Sequence, residues 1–271
     1  MRHRFSWFNG SALALGFAFL YLPIVILVIY SFNESKLVTV WAGFSTKWYV
    51  ELFHDTAFLD AAWVTLRVAF STAILSTVLG TMAAMALVRY GRFRGRTLFS
   101  GMIYAPLVMP DVIIGLSLLL LFIAIGLDRG ILTIVLAHTT FCMCYVAVVI
   151  SARLTSFDRS LEEAALDLGC SPFSAFFLVT LPNIAPAVIS GGLLAFTLSL
   201  DDLVIASFTT GPSSTTLPIK IFSAVRLGVN PEINALSTIM IAIVTVAVVT
   251  ASLMSRRQVS RRLREEAAAT Q

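Results

Sequence analysis

Six apolar runs, each long enough to cross a lipid bilayer, limit what this chain of 271 residues can fold into. A transmembrane helix needs about 20 largely apolar residues, and the runs span residues 12–30, 68–88, 99–125, 131–150, 184–208 and 235–254. With 58% hydrophobic and only 13% charged residues, the chain cannot hide its apolar surface inside one soluble domain. The sequence therefore predicts an all-α, polytopic membrane protein with six transmembrane helices over 12–255. A short N-terminus, 1–11, and a basic tail, 256–271, flank them.

Basic residues orient these runs. Thirteen Lys and Arg residues lie in the two termini or in the connections after the second and fourth runs, whereas five lie in the opposite connections. Because basic residues concentrate on the cytoplasmic side, both termini are predicted to be cytoplasmic. The first run follows Arg2 and Arg4, as a signal peptide would. However, Pro23 interrupts it and no small-residue cleavage site follows, so we interpret it as a retained span.

Three aspartates lie inside the predicted spans, where an unpaired carboxylate is costly. They are Asp111 in the third run and the adjacent Asp201 and Asp202 in the fifth, and neither run contains a Lys or Arg. Pro106 and Pro110 precede Asp111 and are expected to break or kink the third helix. A cation pathway needs negative charge along it. We therefore predict that Asp111 and at least one of the pair line such a pathway.

Asp201 and Asp202 cannot both face one pathway from a regular helix, since adjacent side chains point about 100° apart. We expect one to face the pathway and the other to bond backbone N–H groups or a partner subunit, and the sequence leaves open which is which. Either aspartate could instead be a structural cap at a helix break. His138 is expected to be a hydrogen-bonded packing residue. Aromatic residues that could hold an ammonium group, or simply pack, are Tyr104, Tyr145, Phe196 and Phe222.

The connection between the fourth and fifth runs, 153–188, is long for a simple loop. Its apolar residues recur at helical spacing up to Gly169, which fits a helix C-terminus. Ser171 is the predicted N-cap of a second, short helix with Pro172 at its first position. The Leu181–Pro182 pair is predicted to end that helix and to lead into the fifth span.

Acidic side chains mark the first of these two helices, at Glu162, Glu163 and Asp167. One interpretation is a helix resting on the lipid headgroups. Anionic headgroups would repel the three carboxylates, however, so a protein partner with basic residues explains them better.

The same connection carries a known motif. Glu163-Ala164-Ala165, three residues, Gly169, nine residues and then Val179-x-Leu181-Pro182 resembles the EAA motif of ABC importer permeases, with Val179 where Ile is usual. The resemblance implies the type I ABC importer permease fold, in which the segment 153–183 couples the spans to a cytoplasmic ATPase. Glu163 would meet a basic residue of that ATPase. The residues that the resemblance assigns to this coupling are Glu163, Ala164, Ala165, Gly169, Ser171, Phe173, Leu181 and Pro182.

Further segments are similar to the polyamine branch of that family, and within it to the second permease subunit of putrescine importers. They are WAGFSTKWYVELF, APLVMPDVIIGLSLLLLF, AFTLSLDDLVIASF and LGVNPEINALST. The resemblance implies a bacterial inner-membrane permease for putrescine or spermidine. Its partners would be a homologous second permease, two cytoplasmic ATP-binding subunits that bind ATP and Mg²⁺, and a periplasmic polyamine-binding protein. This chain would bind no cofactor. The pathway residues predicted from the intramembrane acids and the aromatic candidates are Asp111, Asp201, Asp202, Tyr104 and Phe222.

Other classes of function were weighed against this one. A secondary cation transporter would use the aspartates as an ion relay, but it leaves the EAA segment unexplained. A structural subunit whose partner does the gating is a further alternative. The chain has no GxxxxGK[ST], GxSxG or HExxH motif, so we predict no catalytic residues and no metal site. The net charge of +4 is ascribed to cytoplasmic loops rather than to nucleic-acid binding, and Cys142, Cys144 and Cys170 to packing without a disulfide.

Overall fold

The computed structural model describes residues 7–37, 40–228, 231–246 and 249. Over these ranges the chain is helical, apart from turns, loops and an isolated β-bridge between Asn33 and Phe44. A π-helical turn spans Phe176–Thr180. The helices are α1 (Trp7–Tyr30), α2 (Lys47–His54), α3 (Thr56–Arg89), α4 (Arg96–Val108), α5 (Asp111–Ala124), α6 (Ile131–Ser156), α7 (Ser160–Asp167), α8 (Pro172–Ala175), α9 (Leu181–Asp201), α10 (Val204–Thr209), α11 (Leu217–Leu227) and α12 (Pro231–Val246).

Four of the described helices are long and apolar enough to cross a membrane: α1, α3, α6 and the continuous helix Pro172–Asp201. The pair formed by α4 and α5 is a fifth candidate, bent by 118° between its two halves. The sixth predicted run, 235–254, is described only as far as α12 reaches, and its remainder lies almost entirely outside the described residues. The all-α, membrane-spanning class is therefore confirmed, and up to five of the six predicted spans are observed.

Two of the predicted spans are broken. The third breaks at Met109 and Pro110, which adopt extended backbone conformations between α4 and α5, as the prolines predict. The fifth was expected to run unbroken to residue 208, but it ends at Asp201 and resumes at Val204 as α10. A break at that position was considered only as an alternative.

In the unit formed by Ala57–Lys220, α6 is the central helix. Its buried residues, among them Cys142, Val146 and Ile150, form one apolar core with Ile184 and Ala195 of α9 and Ile205 of α10. The hydroxyl of Thr133 donates to the carbonyl of Thr209 at 2.8 Å and ties the start of α6 to the end of α10. All three cysteines are free thiols.

Gly80 allows α3 to approach α6 closely. A Cβ at this position would lie 2.7 Å from Cβ of Val146 and 2.9 Å from the carbonyl oxygen of Met143. We expect Gly80→Ala to destabilise the fold by about 1–3 kcal/mol and to lower the melting temperature in detergent. Gly101→Ala is the matched control, since Gly101 is also inside a helix and has no such neighbour within 4 Å. Equal melting temperatures for the two variants would contradict the close approach.

The second unit combines Met1–Thr56 with Ile221–Gln271. In this unit the Asn33 side chain holds the loop before α2 through two hydrogen bonds. Its amide N–H donates to the carbonyl of Val40, and its amide oxygen accepts from the N–H of Ala42. The Trp48 indole N–H donates to the carbonyl of Asn33 at 2.6 Å. Helix α1 has no buried residue, so its apolar surface is open to lipid or to another apolar helix on every side.

Candidate functional site

Asp111 is the first residue of α5, directly after the break in the third span. Its side chain is exposed, and the positive end of a helix dipole favours a carboxylate in the first turn. Asp111 has no Lys or Arg partner within the part of the chain that the structure describes.

Asp201 and Asp202 stand at the second break and have different environments. Asp201 ends α9 and is exposed. Asp202 is the C-cap residue of α9, with φ −65° and ψ 125°. Its carboxylate also serves as a side-chain cap for the first turn of α10, whose own N-cap residue is Leu203. Oδ2 accepts the N–H of Ala206 at 2.7 Å, and Oδ1 lies 3.4 Å from the N–H of Ile205. Asp202 is thus bonded to backbone N–H groups, which is one of the two roles that the sequence left unassigned.

His138 supports this cap from the central helix. Its Nδ1 lies 2.8 Å from the hydroxyl of Ser199, and its Nε2 lies 3.1 Å from Oδ2 of Asp202. The ring N–H is not aligned with that oxygen, so this second contact is mainly electrostatic. Only 2% of the His138 side chain is exposed. The expected hydrogen-bonded packing residue is therefore observed, with partners on two sides of the break.

The two breaks lie beside one another. Gly115 of α5 is packed so tightly against α10 that a Cβ there would lie 2.6 Å from the ring of Phe208 and 3.3 Å from Cα of Ile205. Gly115 is one helical turn from Asp111, and Ile205 is about one turn from Asp202. Both breaks also face α6. His138 of α6 lies 3.1 Å from Asp202 at the second break, and Ile114, three residues after Asp111, packs in one core with Cys142 and Val146 of α6.

The two aromatic residues assigned to the pathway have described surroundings of their own. Tyr104 of α4 is half-buried and packs on Ile103, Ala83 and Leu87, in a cluster apart from the core around the breaks. Phe222 belongs to the other unit, where the guanidinium of Arg226 lies 4.5 Å from its ring. Both rings therefore stay predicted pathway residues.

The EAA segment forms α7, a bend and α8. Gly169 makes the bend with φ +85°, a left-handed conformation that favours glycine. Ser171 caps α8 by accepting the N–H of Ser174 at 3.1 Å, with Pro172 at the first position, as predicted. Asp158 accepts the N–H of Ser160 at the start of α7, and this backbone hydrogen bond lowers the pKa of Asp158. Side-chain hydrogen bonds to backbone N–H groups thus fix the starts of both α7 and α8.

The expected helix end at Leu181 and Pro182 is wrong. The chain passes from α8 through the π-turn into α9, and the N–H of Leu181 bonds the carbonyl of Phe176, five residues back. The wider turn accommodates the proline, which has no N–H and would clash with the preceding turn of a regular α-helix. The Asn183 side chain then bonds the carbonyl of Val179 at 2.7 Å. As a result, the EAA segment and the fifth span share one continuous helix.

The two adjacent glutamates of α7 differ in the same way as the two aspartates. Glu162 accepts a hydrogen bond from Thr180 at 2.7 Å, and its other oxygen lies 3.2 Å from Nε of Arg89, at the end of α3. The Arg89 guanidinium also lies over the ring of Phe157. Glu163 and Ala164 are exposed, whereas Ala165 is buried. Glu162, expected to face a partner, is bonded inside the chain, and Glu163 remains available.

A cavity of about 850 Å³ opens beside this ion pair. It lies between the end of α3 and the EAA segment, and its lining residues include Met82, Met85, Arg89, Glu162, Phe173 and Phe176. Phe173 is otherwise exposed, as are Leu168 and Leu178. The EAA segment thus exposes apolar side chains as well as Glu163.

Sequence reasoning missed the partners in both networks. Nothing in the local sequence of Arg89 indicates that it pairs with Glu162. His138, which joins Ser199 and Asp202, lies 61 residues before Ser199 in the chain.

Comparison with known families gives a match over most of the chain. The family described as binding-protein-dependent transport system inner membrane component matches residues 76–265.

Individual proteins match over longer stretches. The putrescine transport system permease protein PotI of Escherichia coli (strain K12) is 63% identical over 238 residues, which are 86% of this chain and 85% of that protein. The spermidine/putrescine transport system permease protein PotC of Haemophilus influenzae is 47% identical over 84% of this chain and 88% of that protein. Among solved structures, a bacterial ABC transporter involved in the import of alginate matches with a TM-score of 0.71 and 18% identity. That match covers 91% of this chain and 94% of the other, and it shows the fold.

Proposed function

This chain belongs to the family of binding-protein-dependent transport system inner membrane components, and on that premise we propose that it is a permease subunit of an ATP-driven polyamine importer. The observation that carries the proposal is the pair of adjoining helix breaks that present Asp111 and Asp201 without basic partners among the described residues. The 63% identity to a putrescine permease supports putrescine or spermidine as the substrate.

The proposed pathway uses Asp111 and Asp201 as successive contacts for the amines. A polyamine carries two or more positive charges, and a low-dielectric path admits them where carboxylates compensate the charge. Discontinuous helices also free backbone carbonyls that can line such a path. Tyr145 of α6 is a further proposed aromatic contact for the ammonium group. Tyr104 and Phe222 stay proposed pathway residues without a described contact to the acids.

The proposed coupling surface is α7 with the bend at Gly169 and the start of α8. It would seat on a cytoplasmic ATP-binding subunit, with Glu163 against a basic residue of that subunit and Ala164, Ser171 and Phe173 packing around it, while Ala165 is buried within this chain beneath them. The continuous helix through Leu181 and Pro182 supports this role, since a movement of α8 is passed directly to the helix that ends at Asp201.

The complete proposed complex contains a second permease, two ATP-binding subunits and a periplasmic polyamine-binding protein. It lies in the bacterial inner membrane with both termini of this chain in the cytoplasm. ATP and Mg²⁺ are bound by the ATP-binding subunits, and this chain is a non-catalytic subunit that binds no cofactor.

Transport into proteoliposomes tests the proposal. The chain is reconstituted with its second permease and ATP-binding subunits, ATP is supplied on the side of those subunits, and radiolabelled putrescine is added with the binding protein on the other. We expect uptake that requires hydrolysable ATP and persists when ionophores collapse the ion gradients. Uptake that follows a proton or sodium gradient and ignores ATP would instead establish the secondary transporter.

A further inference from the structure

The network of His138, Ser199 and Asp202 joins three helices at one point. His138 belongs to α6, Ser199 to the last turn of α9, and Asp202 is the cap of α10. His138 and Ser199 are almost fully buried, with 2% and 3% of their surface exposed. The hydrogen bond to Ser199 satisfies Nδ1 of the buried imidazole, and the carboxylate of Asp202 is the polar group that faces Nε2, so a displaced Asp202 would leave Nε2 without it.

The Asp202 carboxylate has little capacity left for a passing amine. Its Oδ2 faces both the N–H of Ala206, at 2.7 Å, and Nε2 of His138, at 3.1 Å, while Oδ1 lies toward the N–H of Ile205. Its neighbour Asp201 is exposed at the end of α9. The position of the break between α9 and α10 therefore determines where the Asp201 carboxylate is exposed.

We propose that His138 and Ser199 are positioning residues of the transport pathway: they hold Asp202 as the cap of α10, and so fix the break at which Asp201 meets the substrate amine. The inference rests on the proposed function for the role of Asp201, and it assigns a task to two residues that touch no substrate. Imidazole suits the task because one ring nitrogen can accept from the Ser199 hydroxyl while the other, protonated, faces Asp202.

The first test measures putrescine taken up per ATP hydrolysed by the complete reconstituted transporter. We expect His138→Ala to lower this ratio about tenfold or more, since a misplaced carboxylate loses a charge-assisted contact, while ATP hydrolysis continues. His138→Gln is expected to restore most of the ratio, because its amide offers a donor and an acceptor at similar spacing.

Thr140→Ala is the matched control on the same helix. The Thr140 hydroxyl bonds the carbonyl of Leu136 in its own helix, so this variant should transport like the unmodified protein. If His138 had a purely structural role, His138→Ala would lower the melting temperature, and uptake and ATP hydrolysis would fall by the same factor, so that their ratio stayed unchanged. That result, or no rescue by His138→Gln, would overturn the proposal.

A second readout does not depend on transport. With Cys170 replaced by Ser and Asp201→Cys introduced, the reaction rate of the new thiol with a cationic methanethiosulfonate reagent reports how position 201 is presented. Adding His138→Ala is expected to change this rate severalfold, and adding Thr140→Ala to leave it unchanged. An unchanged rate with His138→Ala would refute the positioning role, even if the unmodified complex showed no ATP-driven uptake and the proposed function failed.

Discussion

Glu163→Lys is expected to lower ATP-driven putrescine uptake about 10- to 100-fold, since like charges facing one another across an interface cost several kcal/mol. Glu163 is exposed on α7 and has no described bond to the rest of the chain, so the reversal should not disturb the fold. The measurement is uptake by the reconstituted complex, together with the amount of ATP-binding subunit that the purified permease retains. Both should fall, while membrane insertion and the melting temperature of the permease stay unchanged.

The neighbouring glutamate provides the matched comparison. Glu162 lies in a partly buried pair with Arg89, in which 16% and 11% of the side chains are exposed, and it also accepts from Thr180. Glu162→Gln removes one charge of that pair and is expected to lower the melting temperature, because the Arg89 charge is left without its partner. Wild-type uptake in Glu163→Lys, or equal destabilisation by both variants, would show that Glu163 does not face a basic partner.

Much of the fold follows from short-range features of the sequence. Hydropathy places the long helices, since lipid leaves no alternative to satisfied backbone hydrogen bonds. Pro110 predicts the break before Asp111, and Ser171 with Pro172 predicts the start of α8, because each acts on neighbouring backbone groups. The continuous helix through Pro182 could not be predicted in this way. It depends on a π-turn that shifts the bonding register upstream of the proline.

The candidate site was predictable as a set of residues but not as an arrangement. Three acids inside apolar runs stand out because burying them is costly. The division between Asp201 and Asp202 depends on His138, whose side chain reaches Asp202 from a different helix. In the same way, the division between Glu162 and Glu163 depends on Arg89. In both pairs the two acids are neighbours in the sequence, and a partner distant in the chain determines which of them bonds within the chain. Helical periodicity does not predict that distant partner.

Asp201→Asn is expected to lower putrescine uptake about 10- to 100-fold, which corresponds to the loss of one charge-assisted contact of roughly 1.5–3 kcal/mol. The amide keeps the size of the side chain and removes the negative charge that compensates the amine. Because Asp201 is exposed and caps no helix, the melting temperature and basal ATP hydrolysis should remain those of the unmodified complex.

Three further variants make the Asp201 result specific. Asp128→Asn neutralises an exposed aspartate away from both breaks and should leave uptake unchanged. Asp111→Asn should lower uptake in the same direction, since it removes the other proposed contact for the amine. Asp201→Glu should recover most of the lost rate, because it restores the charge with one additional methylene. Uptake by Asp201→Asn within about twofold of the unmodified rate, a difference well below one charge-assisted contact, would exclude this carboxylate from the pathway. The charge compensation would then have to come from Asp111 or from the partner permease.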